Sequence, residues 1–251
     1  MKKSIKILAV GNSFSVDGME YLWNILREGG YDEVVLGNLA IGGCTVDMHA
    51  DNIILGAPLY QYGKNISGEW KWEMDKPFLF GLMDEEWDVV TLQQASGYSG
   101  LPHTYARKDE IIAYLFANMK NKNAKIYWHM TWAYDADSPH IHFDFYKKDQ
   151  NYMYNAIVEA VKERILTDKS FAGVIPSGAA IQNLRQEVKA SLTKDSFHLT
   201  DSLGRYTAAL TWGKCIASVS PENISWMPKA YEDEIKPVID KIRKAVICAN
   251  I

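Results

Sequence analysis

A chain of 251 residues, 47% hydrophobic and 23% charged, has the balance of a globular protein able to bury one large core. Its 27 Lys and Arg against 31 Asp and Glu leave a net charge of −4, which offers no basic field to a phosphate backbone and argues against nucleic acid as a partner. Three cysteines, Cys44, Cys215 and Cys248, form no C-x-x-C and cannot all pair, and no run of about 18 apolar residues occurs; a disulfide framework, a zinc knuckle and a membrane span are not expected.

The chain opens Met1-Lys2-Lys3, like the charged start of a signal peptide, but the apolar run Ile5–Val10 is too short for the hydrophobic region of one and reads as a first strand. As written the sequence predicts a cytoplasmic protein, or an extracytoplasmic one if a leader has been removed. The strand breaks into Gly11-Asn12-Ser13-Phe14-Ser15. A helix follows, with Met19, Leu22, Trp23 and Leu26 on one face; Asp17 and Glu20 resemble a capping box at its start and Gly29-Gly30 its end. Val34–Leu39 is the second strand, running into "NLAIGGCTVD". Residues 56–87 depart from this rhythm as an excursion carrying Tyr60, Tyr62, Trp70, Trp72 and Trp87, aromatics that either frame a ligand crevice or cap the core. Val89–Leu92, Lys125–Met130 and Ala172–Ile175 are the remaining strands. Helical periodicity appears at Ile111, Ile112, Leu115, Phe116 and Met119, at Ile157, Val161 and Ile165, over Thr200–Ala217, and at Ile235, Val238, Ile239, Ile242 and Val246 as an amphipathic closing helix. Short apolar strands separated by helices imply a parallel sheet covered on both faces, and the absence of repeats or linkers predicts one domain over residues 1–251.

Ligands of such folds bind at the carboxyl ends of the strands, where Ser13 sits beside the start of a helix and its backbone N–H groups. Turn chemistry accounts for Gly-Asn-Ser as readily as catalysis does. A serine nucleophile needs a base and a group to orient that base. His198, three residues after Asp195 in a loop before the Thr200–Ala217 helix, is the candidate base; the usual G-x-S-x-G elbow is absent. Gly42-Gly43 lets a backbone N–H approach a ligand, and Gln93 and Gln94, just past the third strand, each carry a side-chain amide that could donate to an oxyanion. Trp132 and Tyr134, beyond the fourth strand, could flank a sugar or acyl group or cap the core. His140, His142 and Asp144 lack a fourth ligand at a recognisable spacing, so neither a metal nor another cofactor is expected. His129 reads as a hydrogen-bonded core histidine, Cys44 as a small buried residue, Ser177 as a helix N-cap, and Ser15 as part of the turn.

Ser13 in G-N-S-F-S, Gly43 in N-L-A-I-G-G-C-T, a polar amide after the third strand, and Asp195-x-x-His198-Leu199 together resemble the ordered blocks of the SGNH (GDSL-type) hydrolases, from residue 7 to about 213. The resemblance implies a flavodoxin-like three-layer α/β/α sandwich with a five-stranded parallel sheet, and metal-independent ester hydrolysis. It implies Ser13 as nucleophile, His198 as general base and acid, Asp195 as the group orienting the imidazole, and the Ser13 and Gly43 N–H groups as two-thirds of the oxyanion hole. Asn12 stands where the usual motif has Asp. Gln93-Gln94-Ala95-Ser96 replaces the G-x-N-D block, and Gln93, nearest the strand end, is the expected third donor. The expected activity is removal of an acyl group, acetyl first, from a carbohydrate or similar small ester. A non-catalytic glycan-binding protein on the same fold and a lipase or thioesterase for longer chains are its rivals.

Overall fold

The computed structural model describes residues 2–251; Met1, where the charged start begins, lies outside them. Seven strands form: β1 (Ser4–Gly11), β2 (Glu33–Ala40), β3 (Tyr60–Asn65), β4 (Trp70–Lys76), β5 (Val89–Leu92), β6 (Lys125–His129) and β7 (Phe171–Ile175). They make one sheet in the order β4-β3-β2-β1-β5-β6-β7. β1, β2, β5, β6 and β7 are parallel, and each coincides with an expected strand to within a residue at either end. In β1, β2, β5 and β6 the apolar residues are largely buried on both faces, as a sheet covered by helices requires, while β7, at the edge of the sheet, keeps only Ile175 fully buried.

The sheet has seven strands where five were expected, and the added pair comes from the aromatic excursion. Tyr60–Asn65 runs antiparallel to β2, with Tyr62 opposite Leu39, and turns back as β4. Tyr60 and Tyr62 are buried while Gln61 between them is exposed, the period-two alternation of a strand with one covered face. That alternation is short and interrupted by Gly63, which is why it reads as loop in isolation. The turn is closed by Asn65 Oδ1, which accepts the N–H groups of Ser67 and Gly68.

Ten α-helices cover the sheet: α1 (Ser13–Met19), α2 (Leu22–Glu28), α3 (Val46–Leu55), α4 (Phe78–Asp84), α5 (Lys108–Asn118), α6 (Gln150–Arg164), α7 (Ser177–Glu187), α8 (Leu203–Ala217), α9 (Glu232–Ile235) and α10 (Ile239–Ile247). α1, α2, α7, α8 and α10 pack together as one layer, and α3, α4 and α5 pack together as another, so the architecture is a three-layer α/β/α sandwich. Two helix expectations change. The first helix starts at Ser13, capped by Asn12, whose Oδ1 accepts the Phe14 N–H at 2.9 Å; Asp17 is not its cap but a buried residue within it. The closing helix is broken into α9, a 3₁₀ turn and α10, because Pro237 supplies no N–H to continue it.

The chain leaves β1 for β2 on one side, then crosses to β5 on the other. Between β1 and β5 the winding reverses, and the crevice at their carboxyl ends is where an open α/β sheet receives a ligand. The loops after β1, β2 and β5 carry Ser13, Gly43 and Gln93 to that end. No helix among the described residues is long and apolar enough to cross a membrane.

Candidate active site

Ser13 stands at the first helical position after β1, where its backbone N–H belongs to the first turn and has no partner within the helix. His198 arrives from a loop between α7 and α8 that is folded back on itself: Thr193 and Leu199 form an isolated bridge, and the Lys194 N–H donates to the His198 carbonyl at 2.9 Å. Asp195 closes the loop. Its Oδ1 accepts the backbone N–H groups of Phe197 (3.3 Å) and His198 (2.7 Å), and its Oδ2 accepts the His198 ring Nδ1–H at 2.6 Å. A carboxylate can only accept, so the neutral imidazole carries its proton on Nδ1. The lone pair left on Nε2 then accepts the Ser13 hydroxyl at 2.8 Å. Partial burial works to raise the Asp195 carboxyl, but the His198 ring and backbone donors outweigh it and hold the group below the ordinary carboxylate range.

The loop is anchored from both sides. The Leu199 N–H donates to Asp17 Oδ2, and Arg205 pairs with Asp17 Oδ1, joining the histidine loop and α8 to α1. Beyond β6, Asp135 accepts Thr193 Oγ1, Ser191 Oγ and the Arg185 guanidinium, while its own N–H donates to the Ser196 carbonyl. Ser196 holds a left-handed φ of +75° inside this turn. Neither Asp135 nor Arg185 carries a local sequence signal, since they lie 50 residues apart, and the pairing of Asp17 with Arg205 spans 188 residues.

Gly43 lines a cavity of about 270 Å³ together with Ser13, Gly42, Ser96, His140, Phe197 and His198. It has a φ of +66°, and a Cβ built there would meet nothing within 4 Å. The left-handed turn by itself favours glycine here, and the space beside its Cα is open to the cavity. A second cavity of about 270 Å³ meets the first at Ser13, Gly42 and His198, and is walled by Gln61, Lys194 and Arg205. A larger cleft of about 570 Å³ lies at the amino ends of β1 and β2, far from this chemistry.

Gln93 does not face the cavity, and the expectation that it donates there gives way. Its Nε2–H donates to Asn12 Oδ1 at 2.8 Å and its Oε1 accepts His129 Nδ1–H at 2.9 Å, with the side chain buried. Gln94 is equally engaged, donating to Thr104 and accepting the N–H groups of Val46 and Ala95. The contact to Gln93 fixes His129 as the Nδ1–H tautomer, so its Nε2 accepts the Ser177 hydroxyl at 3.0 Å; burial pulls this imidazole down to about 3 and keeps it neutral. Asn12 passes the chain on, its Nδ2–H donating to the Cys44 carbonyl at 3.1 Å. A directed series thus runs Ser177, His129, Gln93, Asn12, Cys44, and ties the Ser13 turn to the Gly43 turn. Ser177 enters it through its hydroxyl and is not an N-cap.

Trp132 and Tyr134 are both 0% exposed, which corrects their expected role as walls of a binding site. Trp132 stacks on Phe14 at 4.2 Å and donates its indole N–H to the Phe197 carbonyl; Tyr134 Oη bonds Ser96 Oγ at 2.8 Å. Beside His198 itself, the rings that reach the site are Phe14, Phe197 and His140; the sequence marked His140 only as part of a metal trio, and Phe197 not at all. The Tyr and Trp residues of the excursion lie on β3, β4 and against α4, and only Gln61 of that segment lines either cavity at Ser13. His140 Nδ1 accepts the His142 N–H and Asp144 pairs with Lys148, so this trio does not converge; among the described residues no group of three or more His, Cys, Asp or Glu is placed to hold a metal ion.

A family model described as "Domain of unknown function (DUF4886)" matches residues 6–241. The chain is 36% identical to a DUF4886 family protein from Bacteroides uniformis ATCC 8492; their structures agree with a TM-score of 0.89 over 97% of this chain and 93% of that one. A protein from Slackia heliotrinireducens provisionally described as an SGNH hydrolase gives a TM-score of 0.54 at 18% identity, over 86% of this chain and 100% of that one. A catalytic mutant of an acetylxylan esterase from Geobacillus stearothermophilus gives 0.50 at 11% identity, over 86% of this chain and 96% of that one. With these last two the likeness is one of fold, the α/β architecture of SGNH-like hydrolases. No curated protein matches the chain in sequence.

Proposed function

The chain belongs to the DUF4886 family, and from that premise we propose that it is a metal-independent serine esterase of SGNH type, removing an acyl group, acetyl in the simplest case, from a carbohydrate or similar small ester. The observation that carries this reading is the series Ser13 Oγ, His198, Asp195, joined at 2.8 and 2.6 Å. Turn chemistry explains Gly-Asn-Ser, but it does not explain an imidazole set on that hydroxyl from 185 residues away.

In this mechanism Ser13 Oγ adds to the ester carbonyl carbon as its proton passes to His198 Nε2, and Asp195 stabilises the imidazolium that results. The carbonyl electron pair moves onto oxygen, where the Ser13 and Gly43 N–H groups receive it. Collapse breaks the ester C–O bond and the alcohol leaves with the proton from His198. Water, deprotonated by the same imidazole, then frees the acid from Ser13.

Two features support a sugar ester. Rings step outward from the reactive pair: Phe197 lies 4.3 Å from His198, His140 5.0 Å from Phe197, His142 5.1 Å from His140, and Phe145 stacks on His142 at 5.3 Å. Phe145 is 48% exposed, so the outer end of this shelf is open to an apolar sugar face. An acetylxylan esterase also shares the fold. The small cavity at Ser13 suits a short acyl group.

Ser13→Ala should reduce hydrolysis of p-nitrophenyl acetate by roughly 10⁴-fold or more with an unchanged circular dichroism spectrum, and His198→Ala should fall comparably because the two act as a unit. Full activity in Ser13→Ala would sink the assignment. A fluorophosphonate should label Ser13; absence of labelling and turnover points to the binding-protein rival, and kcat/KM rising with acyl length to the lipase or thioesterase.

A further inference from the structure

We propose that Ser96 supplies the third hydrogen bond to the oxyanion, in place of the glutamine amides that follow β5; the proposal rests on the esterase reading of Ser13. Both glutamines are buried and bonded to protein partners, Gln93 to Asn12 and His129, Gln94 to Thr104, Val46 and Ala95, and neither lines the cavity at Ser13. The loop after β5 nevertheless sends one polar side chain to the cavity that also holds Ser13, Gly43 and His198, and that side chain is Ser96. Ser96, Ser13, Gly43 and His198 thus wall one space of about 270 Å³, the space an acyl group seated on Ser13 would enter.

The direction of the Ser96 hydroxyl follows from its neighbour. Tyr134 Oη is fully buried, and Ser96 Oγ, 2.8 Å away, is its one hydrogen-bond partner among the described residues. If Ser96 donated in this pair, the phenolic proton would be buried without an acceptor, which costs the desolvation of that group. The bond therefore runs from Tyr134 O–H to Ser96 Oγ. That leaves the Ser96 proton for the cavity, and a hydroxyl that accepts one strong bond becomes a better donor of the next. When Ser13 Oγ adds to the carbonyl carbon and the carbonyl pair moves onto oxygen, Ser96 O–H donates to that oxygen beside the Ser13 and Gly43 N–H groups. Tyr134 is then a positioning residue, and its burial has a chemical purpose that a wall residue would not need.

The test is kinetic, on p-nitrophenyl acetate with the full chain. Ser96→Ala should lower kcat about 10–10³-fold while KM moves less than about threefold, because the bond forms in the transition state. Affinity for a trifluoromethyl ketone, which presents the same oxyanion, should fall by the same factor as kcat/KM. Ser96→Thr, which keeps the hydroxyl, should recover kcat to within about tenfold, and Tyr134→Phe should lose less than Ser96→Ala. If Ser96→Ala disturbs the native circular dichroism, Ser96→Cys, similar in volume and a weak donor, is read in the same way. The proposal is overturned if Ser96→Ala keeps wild-type kcat, if its loss lies in KM with ketone affinity intact, or if Thr falls as far as Ala. It is also overturned if His140→Ala, on the same wall, shows the loss and Ser96→Ala does not. Ser13→Ala distinguishes the layers: an inactive Ser13→Ala beside an unimpaired Ser96→Ala removes only this inference, whereas an active Ser13→Ala removes the esterase reading itself.

Discussion

At the scale of single residues, the site depends on hydrogen bonds whose direction is set by chemistry. Asp195 can only accept, so His198 presents a lone pair to Ser13; the Gln93 carbonyl can only accept, so His129 must donate to it. Gln93 is the residue whose part changed most. Read along the chain it is a free amide at a strand end; folded, it is the buried link between Asn12 and His129. Replacing Gln93 by Met keeps bulk and removes both links, leaving Asn12 Oδ1 short of a donor and His129 Nδ1–H without an acceptor. The expected cost is about 1–3 kcal/mol of stability, a fall in Tm of several degrees, with KM for p-nitrophenyl acetate unchanged. Thermal melts and steady-state kinetics on the same variant check it; a large KM change with no loss of stability would return Gln93 to the substrate.

At the scale of elements, the parallel strands were legible because each is a short apolar run, buried on both faces in all but the edge strand β7, and such a run is a local property of the sequence. β3 and β4 were not, since β4 lies at the edge of the sheet with its side chains largely exposed and carries no apolar run. The histidine loop was legible only as D-x-x-H. One of the two anchors that hold it in place is the Asp135–Arg185 pair, with side chains 23% and 12% exposed, which joins the segment after β6 to α7 and to Thr193. Breaking such a pair strands a partly buried carboxylate, so Arg185→Ala should cost about 3 kcal/mol. Because it also frees the loop bearing His198, kcat should drop about tenfold or more with little change in KM. Urea unfolding and kinetics measure the two effects; a variant that loses stability at full kcat would show that the loop is held without Asp135.

At the scale of the whole molecule, two imidazoles are sealed in the structure away from the reactive pair. His49, bonded to Tyr60 Oη, and His129 are both pulled by burial from 6.5 to about 3. Below pH 6.5 the unfolded chain takes up protons that the folded chain refuses. This contribution is therefore fully present above 6.5 and is lost as pH falls from 6.5 towards 3. Each histidine removes up to about 1.4 kcal/mol per pH unit across that window, so the pair costs roughly 4 kcal/mol by pH 5. Urea midpoints measured from pH 7 to 4.5 should fall accordingly, and His129→Gln should remove about half of the slope; a flat profile would mean that neither ring is kept neutral. The sequence by itself determined the alternation of strand and helix, and singled out Ser13, Gly43, Asp195 and His198 as candidates, because apolar periodicity and short motifs are local properties. Only the tertiary structure decided that Gln93 turns inward, that Trp132 and Tyr134 are core, that Asn12 caps the helix which Asp17 had seemed to start, and that Ser96 faces the cavity. Those outcomes depend on which distant donor or acceptor satisfies each buried polar group, and that pairing exists only once the loops after β1, β2, β5, β6 and α7 have met.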